Sequence, residues 1–360
     1  MHTNDACIGR AIIVAACLVL GACATTGVPY STDIAPAVHA GLQDKRARFR
    51  ETYCAVLEAH GRALPDYRPC EDALARVGDE PTGTGRPVDL GVSKRHLVAA
   101  LVPGIGYECF EQWLQAPGTT AGHLRRYGYD LVLLKVDALS GIETNARQIR
   151  DAIMAMPFDP AAEPRLVLIG YSKGAPDILE AIVTYPEIRS RVAAVVSAAG
   201  SIGGSALADD AEQYQADLLQ HFPGATCGPG DGGGVASLRP ATRHAWLAQH
   251  PLPRDVHYFS LATFPQPERI SSILKSSYRK LGRIDARNDS QVIFYDQLVP
   301  GSTLVGYLNA DHWAVAVPIS RSHPMIGSMF VTQNAYPREA LLEALLRFLE
   351  EDLATPGGGR

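Results

Sequence analysis

The sequence predicts an α/β fold: a doubly wound, mostly parallel sheet with an inserted lid and a helical extension at its N-terminal side. Three observations carry this prediction. Apolar runs at residues 96–103, 131–136, 166–169 and 192–196 have the unbroken character of parallel strands covered on both faces. Helix-like stretches separate them, among them 145–154 and 175–183, and such alternation gives right-handed crossover units. The third run ends abruptly in Gly170-Tyr171-Ser172-Lys173-Gly174, a serine set between two glycines.

Composition sets the outer bounds. With 46% hydrophobic and 20% charged residues the chain is ordinary globular protein, and a net charge of -5 gives no reason to expect nucleic acid as a partner. Its 360 residues suffice for one large domain with insertions, or for two domains.

The first residues do not belong to that core. A stretch with a single Arg, Arg10, leads into the apolar residues 11–20 and then the small residues Gly21-Ala22-Cys23. Residues 1–22 read as a signal peptide, too short to remain as a membrane-spanning helix. Leu20-Gly21-Ala22-Cys23 also resembles a bacterial lipobox, which would make Cys23 the lipidated first residue of the mature chain. Ordinary secretory cleavage nearby is the alternative, and Val14-Ala15-Ala16-Cys17 fits the lipobox only loosely. Ala24 rather than Asp after the cysteine points to an outer-membrane lipoprotein in a bacterial envelope, held by acyl chains. Residues 23–40 are then a polar, proline-containing tether.

Export changes the meaning of the cysteines. Beyond Cys23 the chain keeps Cys54, Cys70, Cys109 and Cys227, an even set in an oxidising compartment. Three pairings are open, of which Cys54 with Cys70 and Cys109 with Cys227 is preferred. No Cys-x-x-Cys or His/Cys cluster suggests a metal, and no cofactor is expected.

In chain order, residues 41–90 form the helical extension. Phe49, Tyr53, Val56, Leu57 and His60 recur at helical spacing before Gly61, and a proline-rich stretch runs on to Arg86 as packing material. The main domain covers 91–355. After its first strand come Gly104-Ile105-Gly106-Tyr107 and a helix-like patch at 111–114. Between about 200 and 255 the alternation fails, and the glycine-rich 228–234 has no Gly-Lys-Ser/Thr ending for a phosphate loop. That stretch reads as a lid inserted over the sheet's active edge. Residues 256–262 restore a strand, 269–281 a helix, 291–295 is ambiguous, 304–308 is a last strand, and 339–349 an amphipathic closing helix.

The chemistry follows from the serine. A hydroxyl is a poor nucleophile at neutral pH and needs an imidazole as base and a carboxylate to orient it. When a serine sits on such an elbow the partners follow in the order Ser, Asp or Glu, His. After Ser172 the order selects Asp296 and His312, with Asp289 and Asp311 as competing acids. His323 lies farther on, and His221, His244, His250 and His257 precede the acid. Trp313 reads as packing. The tetrahedral intermediate needs aimed donors: the backbone N–H of Lys173, and that of Ile105, with Tyr107 the lesser choice. The Lys173 side chain is expected in solvent or over the helix start, since a Ser/Lys base requires Ser-x-x-Lys.

These residues together resemble the α/β-hydrolase superfamily in its esterase and lipase-like branch. Gly170-Tyr171-Ser172-Lys173-Gly174 matches the elbow, Pro103-Gly104-Ile105-Gly106 is similar to the oxyanion loop, and Asp296-Gln297-Leu298-Val299-Pro300-Gly301-Ser302 resembles an acid-bearing Asp-x-x-Val-Pro-x-Ser segment. Lipases often have His where this chain has Tyr171, and His-Gly where it has Pro103-Gly104. The resemblance covers residue 96 to the C-terminus and implies a serine hydrolase acting on a small-molecule or lipid carboxylic ester. Thioester or amide cleavage by the same triad is the alternative among enzymes, and a non-catalytic envelope binding protein the alternative outside them.

Overall fold

The sheet forms where the sequence is most apolar. Its strands are β1 (Gln43–Asp44), β2 (Leu74–Ala75), β3 (Val98–Val102), β4 (Asp130–Leu133), β5 (Leu166–Tyr171), β6 (Val192–Ala198), β7 (Tyr258–Thr263) and β8 (Thr303–Leu308). The structure is a computed structural model that describes residues 41–111, 119–137, 139–210 and 226–355. The proposed leader, Cys23, the tether, His221 and most of the patch at 111–114 lie outside the described residues.

The strand order is β1-β8-β7-β6-β5-β3-β4, with β2 paired to β8 off that path. All pairings are parallel except β2 with β8. From β3 the chain steps to the edge as β4, returns on the other side of β3 as β5, and continues outward to β8. The reversal places the C-terminal ends of β3 and β5 side by side, and open α/β sheets bind ligands at such a switch point.

Side chains alternate across the sheet with the strand period of two. Ala99, Val167, Ile169, Ala194, Val196, Phe259 and Val305 face one buried layer. It is closed by α1 (Arg46–Ala59), α2 (Thr119–Arg126) and α7 (Arg338–Leu353). Ala100, Val102, Leu166, Leu168 and Val195 face the other, closed by α3 (Ile142–Ala155) and α4 (Gly174–Thr184). Two further helices, α5 (Pro240–Gln249) and α6 (Lys275–Leu281), lie in the connections on either side of β7. Apolar runs buried on both faces are thus what the sequence displayed.

The segment at 41–90 is more deeply built in than an added extension. Gln43 and Asp44 pair with Thr303 and Leu304, and Leu74 and Ala75 with Leu308 and Tyr307. Phe49 and Tyr53 are fully buried, and the Phe49 ring stands edge-on to Phe348 of α7. Arg48 bonds Glu351 and Arg50 bonds Glu80, while Arg68 donates to the Asn309 carbonyl. Two-residue strands carry no period to read, and a helix holding three arginines looks solvent-facing until their carboxylate partners are placed.

Other boundaries also shift. The second predicted strand stops at Leu133, with the Leu134 N–H donating to the Leu101 carbonyl just past the last paired residue. Only Lys275–Leu281 of the expected 269–281 helix is α-helical, after short turns at Pro267–Arg269 and Ser272–Leu274. The ambiguous 291–295 becomes an isolated bridge, Asn288 with Ile293, and a turn at Phe294–Gln297. Both preferred disulfides are present: Cys54–Cys70 staples α1 to the following turn, and Cys109–Cys227 ties the loop after β3 to the inserted segment. In that segment the glycine-rich loop docks at the start of α3, where Asp231 accepts from the Gly141 N–H at 2.7 Å and the Thr144 hydroxyl at 2.6 Å.

Phe49 tests whether α1 is part of the core. Phe49→Ala is expected to lower the unfolding free energy by about 3–5 kcal/mol in denaturant titration, the usual cost of emptying a buried aromatic site. A loss of under about 1 kcal/mol would mean that the segment is an appendage.

Candidate active site

The elbow at the end of β5 is a backbone problem solved by its two glycines. Ser172 has φ 54°, the left-handed region that side chains other than Gly avoid. A Cβ on Gly170 would stand 2.4 Å from Ala175 Cα, and one on Gly174 would stand 2.2 Å from the Val102 carbonyl oxygen. Only glycine lets β5, α4 and β3 close this tightly. The Ser172 N–H donates to Ala198 at 3.3 Å and its carbonyl accepts from Ser201 at 3.0 Å. Ser172 is thereby pinned between the ends of three strands.

His312 follows β8, on a turn held from beneath. Asp311 accepts from the Ala314 N–H at 2.9 Å and from the Ser271 N–H at 2.8 Å. The Tyr171 hydroxyl donates to the His312 carbonyl at 2.8 Å. Nε2 of His312 lies 2.9 Å from the Ser172 hydroxyl, and Nδ1 lies 2.7 Å from Asp289 Oδ2. With the imidazole proton on Nδ1 toward the carboxylate, Nε2 presents its lone pair to Ser172. All three side chains are buried.

The carboxylate that meets His312 is therefore Asp289 and not Asp296. Asp289 sits in a tight turn where its Oδ1 accepts from the Gln291 and Val292 N–H groups at 2.9 and 2.8 Å. Its Oδ2 also takes the Thr263 hydroxyl at 2.6 Å, with Gln297 Nε2 at 3.3 Å. The chain order Ser, Asp, His allows either aspartate. Asp296 instead faces the inserted segment, 3.6 Å from His244 Nε2, with its main-chain carbonyl accepting from the Gly203 N–H at 2.8 Å. Burial pushes its carboxyl above the usual range. The rest of the Asp-x-x-Val-Pro-x-Ser segment is structural: Ser302 bonds Ser260 on β7, and the Val299 N–H donates to the same hydroxyl. Thr263 and Gln297 escaped the sequence reading, since nothing in their spacing marks contact with an acid.

The remaining competitors also find their places. Asp311 points away from the imidazole into its own turn, and burial raises its carboxyl too. His250 Nδ1 lies 2.9 Å from the Trp246 carbonyl, and His244 is largely exposed beside Asp296. Of the two places expected for the Lys173 side chain, solvent or the helix start, it takes the second: it is 1% exposed, and its ammonium bonds Asp177 one turn into α4 at 2.7 and 3.0 Å.

The loop after β3 comes directly against the serine. A Cβ on Gly104 would lie 2.8 Å from Ser172 Cβ, so this glycine, too, marks a close approach. The Tyr107 N–H is spent on the Gly104 carbonyl. Neither the Ile105 N–H nor the Lys173 N–H has an acceptor among the described residues. Two backbone donors thus flank the nucleophile, as an oxyanion would require.

Comparison with known proteins places the chain among solved ester hydrolases. A crystal structure of a metagenomic carboxyl esterase is 41% identical, with a TM-score of 0.81 over 88% of this chain and 95% of that one. EstA from Clostridium botulinum superposes with a TM-score of 0.51 at 12% identity, over 84% of this chain and 97% of its own. The propeptide form of the Bacillus licheniformis lipase BlEst2 gives 0.50 at 20% identity, over 67% and 51%. At those identities the last two speak for the fold alone. No protein-family model matches the chain, and no curated protein does.

The choice of acid is directly testable. Asp289→Asn should slow fluorophosphonate labelling of Ser172 by about 10³- to 10⁴-fold, the scale of a triad left with the wrong imidazole tautomer, while Asp296→Asn stays within about threefold of wild type. The opposite ranking would restore Asp296.

Proposed function

Given that the chain belongs to the α/β-hydrolase superfamily, among the carboxyl esterases, we propose that it hydrolyses carboxylic esters through an acyl-Ser172 intermediate. The observation that carries this is the unbroken path from Ser172 Oγ to His312 Nε2 at 2.9 Å and from His312 Nδ1 to Asp289 Oδ2 at 2.7 Å.

Ser172 Oγ adds to the ester carbonyl carbon as its proton passes to His312 Nε2. The imidazolium so formed is stabilised by Asp289, which stays ionised. Negative charge moves to the carbonyl oxygen, where the N–H groups of Lys173 and Ile105 receive it. Collapse expels the alcohol, which takes the proton from His312 and leaves the acyl group on Ser172. A water molecule then repeats the cycle: His312 takes its proton, the hydroxyl adds to the acyl carbon, and the acid departs as Ser172 regains its hydrogen. Uncharged backbone donors suit an ester oxygen because they gain most as its charge develops.

The same reading extends to the cell. A leader over residues 1–22 with Cys23 lipidated would hold the enzyme at an outer membrane by its acyl chains, facing small-molecule or lipid esters. The two disulfides support passage through an oxidising compartment.

Two outcomes are expected. Wild type labels with a fluorophosphonate probe and turns over an ester panel of rising acyl length, whereas Ser172→Ala does neither; turnover unchanged in the mutant would sink the acyl-serine mechanism. Cells fed radiolabelled palmitate should incorporate it into the wild-type chain and not into Cys23→Ala. Equal labelling of the two would place any acyl group elsewhere.

A further inference from the structure

A charged network lies buried behind the nucleophile, in contact with neither Ser172 nor His312 through hydrogen bonds. Lys173 bonds both oxygens of Asp177 one helical turn later. Asn145 Nδ2, from α3, donates to Asp177 Oδ2 at 2.9 Å. Arg243 comes in from α5 of the inserted segment: its Nε donates to the Ile202 carbonyl at 3.2 Å, and its guanidinium stacks 4.7 Å from the Trp246 ring centroid. Lys173, Asp177, Asn145 and Arg243 are each at most 1% exposed. Asn145 Oδ1 and Arg243 Nη2 have no hydrogen-bond partner among the described residues.

Stability alone does not call for such a set. Apolar residues of similar volume commonly replace a buried ion pair with no loss of stability, while removing one partner leaves a costly charge. Burial raises the Asp177 carboxyl, and it lowers Arg243 to about 10, so both charges are held against the preference of their surroundings. What the pair does achieve is geometric. Lys173 follows Ser172 directly, and its backbone N–H is one of the two donors assigned to the oxyanion. The Asp177 N–H also donates to the Lys173 carbonyl at 3.2 Å, so a Lys173 side chain clamped to Asp177 ties residue 173 to the first turn of α4 through both backbone and side chain. Donors of this kind work only when held near 2.7–3.1 Å from the developing charge, by surroundings that are themselves locked.

We propose that Lys173 and Asp177, braced by Asn145 from α3, are positioning residues for the Lys173 N–H in the oxyanion hole. The inference rests on the acyl-serine reading above. Arg243 of the inserted segment reaches the same region by holding the Ile202 carbonyl, next to Ser201, whose N–H donates to the Ser172 carbonyl.

The test is the double variant Lys173→Met/Asp177→Leu, which removes both charges together. Its kcat on a soluble short-chain ester should fall about 10- to 100-fold, less than the 10²- to 10³-fold typical of losing a donor outright, with KM within about twofold. Affinity for a trifluoromethyl ketone, whose adduct with Ser172 is tetrahedral, should fall by the same factor as kcat. Lys173→Arg should recover part of both losses. A double variant with wild-type kcat and ketone affinity overturns the proposal. Should the double variant not fold, Asn145→Ala serves: a loss in kcat matched by ketone affinity supports the proposal, and unchanged values refute it. Fluorophosphonate labelling of wild type separates the two levels, since failure to label refutes the acyl-serine reading itself.

Discussion

The arrangement depends on one close approach, that of the first turn of α4 to the end of β3. Gly174 lies so near the Val102 carbonyl that a methyl group would overlap it, and this contact sets how sharply the chain leaves β5. A left-handed residue costs roughly 1–2 kcal/mol for a side chain larger than hydrogen. Ser172 carries that cost because packing on three sides leaves no other path. Beside it Gly104 stands against Ser172, so the loop that carries Ile105 and the serine are packed together at the end of β3. Ala199, at the end of the neighbouring β6, is also left-handed, with φ 48°. Two of the left-handed side-chain-bearing residues thus stand together at the sheet's C-terminal edge, beside the reacting hydroxyl.

Buried carboxylates divide the remaining work according to the donors that surround them. Asp289 spends one oxygen on two backbone N–H groups, which leaves the other aimed at His312. Asp311, adjacent to His312 in the chain, spends both on backbone and so shapes the turn without touching the imidazole. Asp177 spends both on Lys173. Each is an aspartate within or beside the catalytic elements, yet the donors that satisfy it decide its role.

This explains what was legible in the sequence and what was not. The strands from β3 to β8, the elbow and the position of His312 could be read because they depend on local features: apolar runs, paired glycines and position after the last strand. The acid could not be resolved that way. Asp289 and Asp296 occupy the same connection, both satisfy the order, and the more familiar Val-Pro-x-Ser pattern drew the choice to Asp296. The feature that distinguishes Asp289 is a turn in which Ser290 has φ 85° and Asn288 accepts from the Ser290 N–H. Asn-Asp-Ser hints at a turn, but the direction of the spare oxygen depends on Thr263 and Gln297 from other elements. Likewise, β1 and β2 are too short for periodicity, and the buried Lys173 looked like any helix-start lysine because its partner is visible only as a pair four residues apart.

The inserted segment shows how the two classes of constraint meet. Its described parts are fixed at several places, among them Cys109–Cys227 beside the loop after β3, Asp231 at the start of α3, Arg243 at the Ile202 carbonyl, and Gly203 and Ser205, which donate to the Asp296 and Gln291 carbonyls beside the turn that carries Asp289. The insertion is thus seated against the loop after β3, the start of α3 and the connection that holds Asp289. Under the proposed mechanism a change in its seating would reach the oxyanion donors and also the carboxylate that orients His312.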